Sequence, residues 1–85
     1  MNKINITYKT SDLGLAAYLS YQNFIIDSVE DTTGNSGNLK KVFVFARKQG
    51  VKIEDIVGTY NRNEAVVEPR KYFNEIRSVK QRIYA

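Results

Sequence analysis

The first residues of the chain alternate between apolar and polar side chains, with Ile4, Ile6 and Tyr8 as the apolar members. A period of two is typical of a β-strand that buries one face and exposes the other. We therefore predict a strand over residues 3 to 9.

Two later runs, at residues 24–29 and 39–46, are rich in β-branched and aromatic residues and flank a polar segment at 31–38. This arrangement is typical of a β-hairpin with a long tip. In the second run Phe43 and Phe45 point to one face and the valines beside them to the other, so both faces are at least partly covered. We predict that this strand lies in the middle of an antiparallel sheet.

Two helices are predicted in the second half of the chain. Apolar residues recur at i, i+3, i+4 and i+7 from Ile53 to Tyr60, which predicts an amphipathic helix over residues 52–61. Pro69 suits the first position of the last helix, where its missing amide hydrogen costs nothing. The apolar stripe of that last helix consists of Tyr72, Phe73, Ile76, Val79 and Ile83.

A further helix is predicted from Asp12 to about Gln22, and it is unusual because residues 13–21 contain no charge. A surface helix normally carries a charged stripe, so more than one side of this helix should be covered. Either it is enclosed within the monomer, where its residues form the core, or one side meets another chain. Because enclosure is difficult in 85 residues, we favour self-association. The interface candidates are Leu15, Tyr18, Leu19 and Tyr21, since tyrosines are common at interfaces.

Together these elements predict the fold class. We expect a single small α+β domain over residues 1–85, in the order β-α-β-β-α-α, with a three-stranded antiparallel sheet packed against helices. The chain is long enough for one hydrophobic core and too short for two domains.

The chain contains no cysteine and no histidine. Their absence removes thiolate nucleophiles, imidazole acid–base chemistry and the usual transition-metal ligands. The acidic residues Asp27, Glu30 and Asp31 lack the spacing of a calcium loop, and the segment 34–37 lacks the helix that a phosphate loop requires. We predict no catalytic residue, no metal, no cofactor and no small-molecule substrate, and hence no enzyme.

The residues after Met1 do not form an apolar run that resembles a signal peptide or a membrane span. We therefore expect no membrane partner. The expected location is the cytoplasm.

The net charge of +4 is unevenly distributed, since residues 1–38 are slightly acidic and the basic residues lie downstream. A basic surface can neutralise phosphates, and Tyr21 and Tyr84 are candidates to stack on a base in such a complex. Ordinary solvated charge is the competing interpretation, and Glu64, Glu68 and Glu75 interrupt the positive field. The candidate nucleic-acid-binding residues are Lys40, Lys41, Arg47, Lys48, Arg70, Lys71, Arg77, Lys80 and Arg82.

Three short motifs span most of the chain. They are the segment Thr10-Ser11-Asp12-Leu13-Gly14-Leu15-Ala16-Ala17-Tyr18-Leu19, the strand Val42-Phe43-Val44-Phe45, and Val67-Glu68-Pro69 followed by Phe73, Arg77, Lys80 and Tyr84. Together they resemble a small phage and prophage family known only as a domain of unknown function. The resemblance implies a phage or mobile-element origin and carries over no catalytic residue.

The sequence therefore predicts a protein that acts by binding. The first hypothesis is a phage accessory protein that contacts a protein partner or a second copy of itself, as a modulator of host machinery or as a component of the virion. The alternative is a protein that binds nucleic acid through the basic face of the last helix.

Overall fold

The computed structural model describes residues 7–33, 39–48 and 50–84. The elements follow one another as β1 (Thr7–Thr10), α1 (Leu13–Tyr21), β2 (Ile26–Thr33), β3 (Leu39–Ala46), α2 (Ile53–Asn61) and α3 (Pro69–Tyr84). The predicted α+β class and the order β-α-β-β-α-α are confirmed. Residues 3–6 of the first predicted strand and the turn at 34–38 lie outside the described residues.

The three strands form one antiparallel sheet in the order β1-β3-β2, which confirms the prediction that β3 lies in the middle. Tyr8 of β1 pairs with Phe45, and Val29 of β2 pairs with Phe43. A register shift between Ile26 and Ser28 interrupts the pairing of β2.

Strand β2 extends beyond the predicted end at residue 29 and continues to Thr33. Its last part is polar, and Glu30 and Asp31 pair with Val42 and Lys41 of β3. These acidic residues are exposed, and β2 is an edge strand. The prediction was too short because an edge strand tolerates charged side chains, which a hydrophobicity pattern assigns to the loop.

All three helices contribute to the core against the sheet. Phe43 and Phe45 of β3 are 1% and 0% exposed, and Leu19 of α1, Ile53 of α2 and Val79 of α3 belong to the same buried cluster. These are the largest fully buried side chains. The two phenylalanines of β3 therefore form the part of the sheet against which the three helices pack.

Helices α1 and α2 end in the same way, with an asparagine in the left-handed region. The φ angles of Asn23 and Asn63 are 72° and 61°. After α1 the N–H groups of Asn23 and Phe24 donate to the carbonyls of Ser20 and Leu19, and after α2 the equivalent bonds run to Tyr60 and Thr59. This is the Schellman arrangement, and asparagine tolerates it better than other residues with a Cβ atom.

Helix α1 is enclosed by its own chain. Leu15 and Tyr18 are each 5% exposed and Leu19 is 0% exposed, because the sheet, α2 and α3 all pack around the helix. The favoured prediction that these three residues meet another chain is therefore wrong in this fold. Enclosure is achieved in a short chain because α3 has 16 residues and spans about 24 Å, at about 1.5 Å per residue.

Tyr21, the fourth interface candidate, is also held within the monomer. It is half-buried, its hydroxyl accepts a hydrogen bond from the backbone N–H of Glu68 at 3.0 Å, and its ring meets Tyr72 edge-on at 6.4 Å between centroids. These contacts tie the end of α1 to the beginning of α3. Tyr21 therefore has one partner at its hydroxyl and another at its ring, both within the same chain.

Candidate nucleic-acid interface

Several of the nine candidate basic residues are engaged within the fold. Arg47 forms two hydrogen bonds to the Glu54 carboxylate at 3.0 and 2.6 Å, and Lys41 pairs with Asp31 at 2.5 Å. Lys40, exposed on β3, also has an interaction partner. These cations are already partly compensated and are weaker candidates for a phosphate contact.

The Arg47–Glu54 pair links the end of β3 to the first turn of α2. The hydrogen bonds from Arg47 lower the pKa of Glu54 below its ordinary value, and the same contact raises the pKa of Arg47. The Arg47 Nε atom also donates to the Thr7 carbonyl at 3.4 Å. Arg47 follows β3 directly and therefore joins the end of that strand to β1 and to α2. Its role in the fold is structural.

Two further candidate cations, Lys48 and Arg82, form contacts between separate parts of the fold. Lys48 donates to the Gln22 carbonyl at 3.1 Å and lies 4.6 Å from the centroid of the Phe24 ring. Arg82 donates to the Ile26 carbonyl at 3.0 Å, so it joins α3 to β2. Both side chains donate to backbone carbonyls, one directly after α1 and one at the beginning of β2.

The remaining candidates are Arg70, Lys71, Arg77 and Lys80 of α3, and all four are exposed. Among the described residues, none of them forms a side-chain ion pair. Lys71 faces a shallow groove with Tyr21 and Glu75. Arg70, Arg77 and Lys80 lie in a different sector of the helix.

An aromatic side chain shares that sector with the three cations. Phe73 is 58% exposed, and the Arg77 guanidinium carbon lies 5.9 Å from the centre of its ring. At 3.6 residues per turn, Arg70, Phe73, Arg77 and Lys80 fall within a sector of about 80°. We call these four residues the α3 outer face.

The prediction that Phe73 belongs to the buried stripe is wrong. Tyr72 and Ile76 are half-buried and Val79 is buried, but Phe73 follows Tyr72 by one residue and is therefore turned about 100° away. The sequence does contain a signal for the exposure of Phe73. At three residues after Arg70 and four before Arg77, it lies on the same side of the helix as these two cations. Periodicity grouped it with its apolar neighbour instead.

The acidic residues that were expected to interrupt the positive field have hydrogen-bond or ion-pair partners elsewhere in the fold. Glu75 accepts a hydrogen bond from the Ser20 hydroxyl at 2.7 Å, and Glu64 pairs with Arg62 at 3.0 Å. Glu68 accepts the backbone N–H groups of Arg70 and Lys71 at 2.9 and 3.1 Å, which caps α3. Glu75 is the single carboxylate of α3, so the α3 outer face carries none.

A pocket of about 420 Å³ lies beside the first turn of α3. Its lining consists of Tyr18, Tyr60, Asn61, Asn63, Ala65, Val67 and Tyr72. The rings of Tyr18 and Tyr60 are 5.8 Å apart at an angle of 30°, and the Tyr72 hydroxyl donates to the Gly14 carbonyl at 2.8 Å. We call this site the tyrosine pocket.

Burial raises the pKa of Tyr60 and of Tyr72 above the ordinary value of 10.0, and the charge of Asp12 acts in the same direction on both. For Tyr72 the neighbouring Tyr60 contributes as well. Both hydroxyl groups are therefore protonated at neutral pH. They present neutral hydrogen-bonding groups and not phenolates.

Within residues 7–33, 39–48 and 50–84, no group of three or more His, Cys, Asp or Glu side chains is arranged to hold a metal ion. In the same ranges, no helix combines the length and the apolar character needed to cross a membrane. The side chain of Tyr84, the second stacking candidate, lies outside the described part of the chain.

The fold and the α3 outer face define a small α+β protein with a basic helix that exposes an aromatic ring. Over residues 5–85 the chain matches a family described as a domain of unknown function, DUF5659, and it belongs to that family. The chain shows no significant similarity to a curated protein or to a solved structure.

Proposed function

We propose that the chain is a non-enzymatic accessory protein of a phage or mobile element that binds single-stranded nucleic acid through the α3 outer face. One observation carries the proposal: an exposed phenylalanine ring in contact with an arginine and flanked by two further cations that form no ion pair with any described residue. The resemblance of the three sequence motifs supports the phage or mobile-element origin.

Each part of the face has a defined task in this proposal. Arg70, Arg77 and Lys80 neutralise backbone phosphates, which gives affinity that depends on salt. Phe73 stacks on a base, an interaction worth about 1–3 kcal/mol and available to any base. A single strand is favoured over a duplex because only its bases present an open face to the ring.

We expect a labelled single strand of thymidines to bind at low salt and to lose at least tenfold in affinity with the double substitution Arg77→Glu and Lys80→Glu. Each glutamate replaces an attraction to phosphate by a repulsion. The milder pair Arg77→Gln and Lys80→Gln should reduce the slope of log affinity against log salt by about 1.4, because two phosphate contacts are lost. Fluorescence polarisation across a salt series measures both quantities.

The control is the pair Lys9→Glu and Lys52→Glu, which changes the net charge equally at two exposed residues outside α3 and outside the tyrosine pocket. A glutamate at residue 52 suits the positive end of the α2 dipole, and loss of the exposed Lys9–Glu30 pair costs about 0–1 kcal/mol. The substitution Phe73→Ser tests the stacking contribution, and Phe73→Tyr should preserve it. If the wild-type protein binds no strand at low salt, or if the control pair weakens binding as much as the α3 pair, the proposal fails.

The second candidate function is contact with a protein partner, for which one exposed apolar residue is a specific observation. Ile25 is 73% exposed and lies in an apolar groove formed with Asn23, Ala46, Arg47 and Lys48. Self-association through this residue predicts that Ile25→Glu converts an oligomer to a monomer without loss of folding. Light scattering of both proteins measures the mass, and a monomeric wild type would eliminate self-association.

A further inference from the structure

The tyrosine pocket has a chemical character that differs from that of the α3 outer face. Its seven lining residues include three tyrosines and two asparagines and no charged side chain. Its volume of about 420 Å³ lies in the range of roughly 300–1,000 Å³ that small ligands occupy. The pocket is therefore suited to an uncharged ligand with at least one flat face.

Burial divides the lining residues into a floor, walls and a rim. Tyr18 is buried at the floor, Tyr60, Ala65, Val67 and Tyr72 are half-buried, and both asparagines are exposed. The aromatic rings can stack against a flat ligand, and the asparagine carboxamides can both donate and accept at its edge. Asparagine forms such a paired contact with the edge of adenine.

The pocket and the α3 outer face meet at the first turn of α3. Tyr72 lines the pocket, and Phe73, the next residue, belongs to the outer face. Val67 lines the pocket as well, and only Glu68 and Pro69 separate it from Arg70. Three residues of chain span at most about 11 Å, so one strand can reach both the outer face and the rim of the pocket.

We propose that the tyrosine pocket binds one unstacked nucleobase of the strand. This inference rests on the proposed function, because the outer face must hold the backbone. The base lies against the tyrosine rings, and Asn61 and Asn63 contact its edge. The ring systems of the bases are neutral at physiological pH, in agreement with the uncharged lining of the pocket.

The test uses free nucleosides, which lack phosphates and so do not depend on the α3 outer face. We expect adenosine, guanosine, cytidine or thymidine to shift the amide signals of residues 60–67 in heteronuclear NMR spectra, with one base preferred over the others. Substitution Ala65→Phe fills the pocket and should abolish these shifts. It should also lower the affinity for the single strand by about tenfold, the loss expected for one stacked base.

Two further variants separate occupation of the pocket from damage to the fold. Val66 is 86% exposed and adjacent to Ala65, so Val66→Phe is the matched control and should leave binding unchanged. Asn63→Gly removes a carboxamide from the rim while glycine keeps the left-handed conformation, for which φ is 61°. It should weaken nucleoside binding and alter the base preference without loss of stability.

The outcomes distinguish failure of the pocket from failure of the proposed function. If the strand binds and responds to the Arg77 and Lys80 substitutions, but Ala65→Phe has no effect and nucleosides cause no shifts, the pocket proposal is overturned and the outer face stands. Equal losses with Ala65→Phe and Val66→Phe also overturn it. If no strand binds at all, the proposed function fails first.

Discussion

Replacement of Leu15 by glutamate is expected to leave the chain unfolded. Leu15 is 5% exposed and belongs to the core cluster of α1, β3, α2 and α3, so the new carboxylate would lose its water without gaining a partner. An uncompensated buried charge costs several kcal/mol. This is comparable with the whole stability of a small domain, about 5–10 kcal/mol. Circular dichroism with urea titration measures the result.

The matched control is Ile25→Glu, which introduces the same charge at a residue that is 73% exposed. Its free energy of unfolding should remain within about 0.5 kcal/mol of the wild type, as for ordinary surface substitutions. A folded Leu15→Glu monomer obtained from an oligomeric wild type would contradict the assigned core. It would instead restore the interpretation of α1 as an interface.

The absence of charge in residues 13–21 correctly indicated that α1 is covered on more than one side. It did not indicate by what, because the pattern of a helix gives the extent of burial and not the identity of its neighbours. The missing information is which other elements of the fold pack against α1. Tyr60 of α2 and Tyr72 of α3 both reach the residue Gly14, so two helices converge over α1.

The sheet was easier to predict because its evidence lies in one strand. Phe43 and Phe45 alternate with valines, so both faces of the strand are apolar, which favours cover on both faces and a place in the middle of a sheet over an edge. Its central position between β1 and β2 follows from that alternation. The end of β2 was missed because Glu30 and Asp31 resemble loop residues, whereas an exposed edge accepts them.

The candidate site was only partly predictable for an electrostatic reason. Sequence identifies every lysine and arginine, but not the carboxylate or carbonyl that each one meets. Arg47, Lys48 and Arg82 were candidates equal to Arg77 until the fold placed Glu54, Gln22 and Ile26 beside them. The exposure of Phe73 was missed as well, because the sequence pattern grouped it with its apolar neighbour Tyr72.

Replacement of Gly14 by alanine is expected to destabilise the protein, although alanine is the better helix former. A Cβ atom at this position would overlap the hydroxyl of Tyr60, whose ring is in tilted contact with the ring of buried Tyr18. Overpacking of this kind costs about 1–3 kcal/mol, which outweighs the gain of about 0.5–1 kcal/mol from replacing glycine in a helix. We expect a net loss of about 1–2 kcal/mol in urea unfolding.

Gly58 of α2 supplies the matched control, because a Cβ atom there meets only the end of the flexible Arg62 side chain, at 2.9 Å. Gly58→Ala should therefore be neutral or stabilising by up to about 1 kcal/mol. A rescue experiment identifies the cause of the Gly14 effect. With Tyr60→Phe the hydroxyl is gone and the nearest ring carbon is 3.5 Å from the new Cβ atom, an ordinary contact. The double variant should therefore regain most of the stability that Gly14→Ala loses, and strictly additive effects would show that the overlap is not the cause.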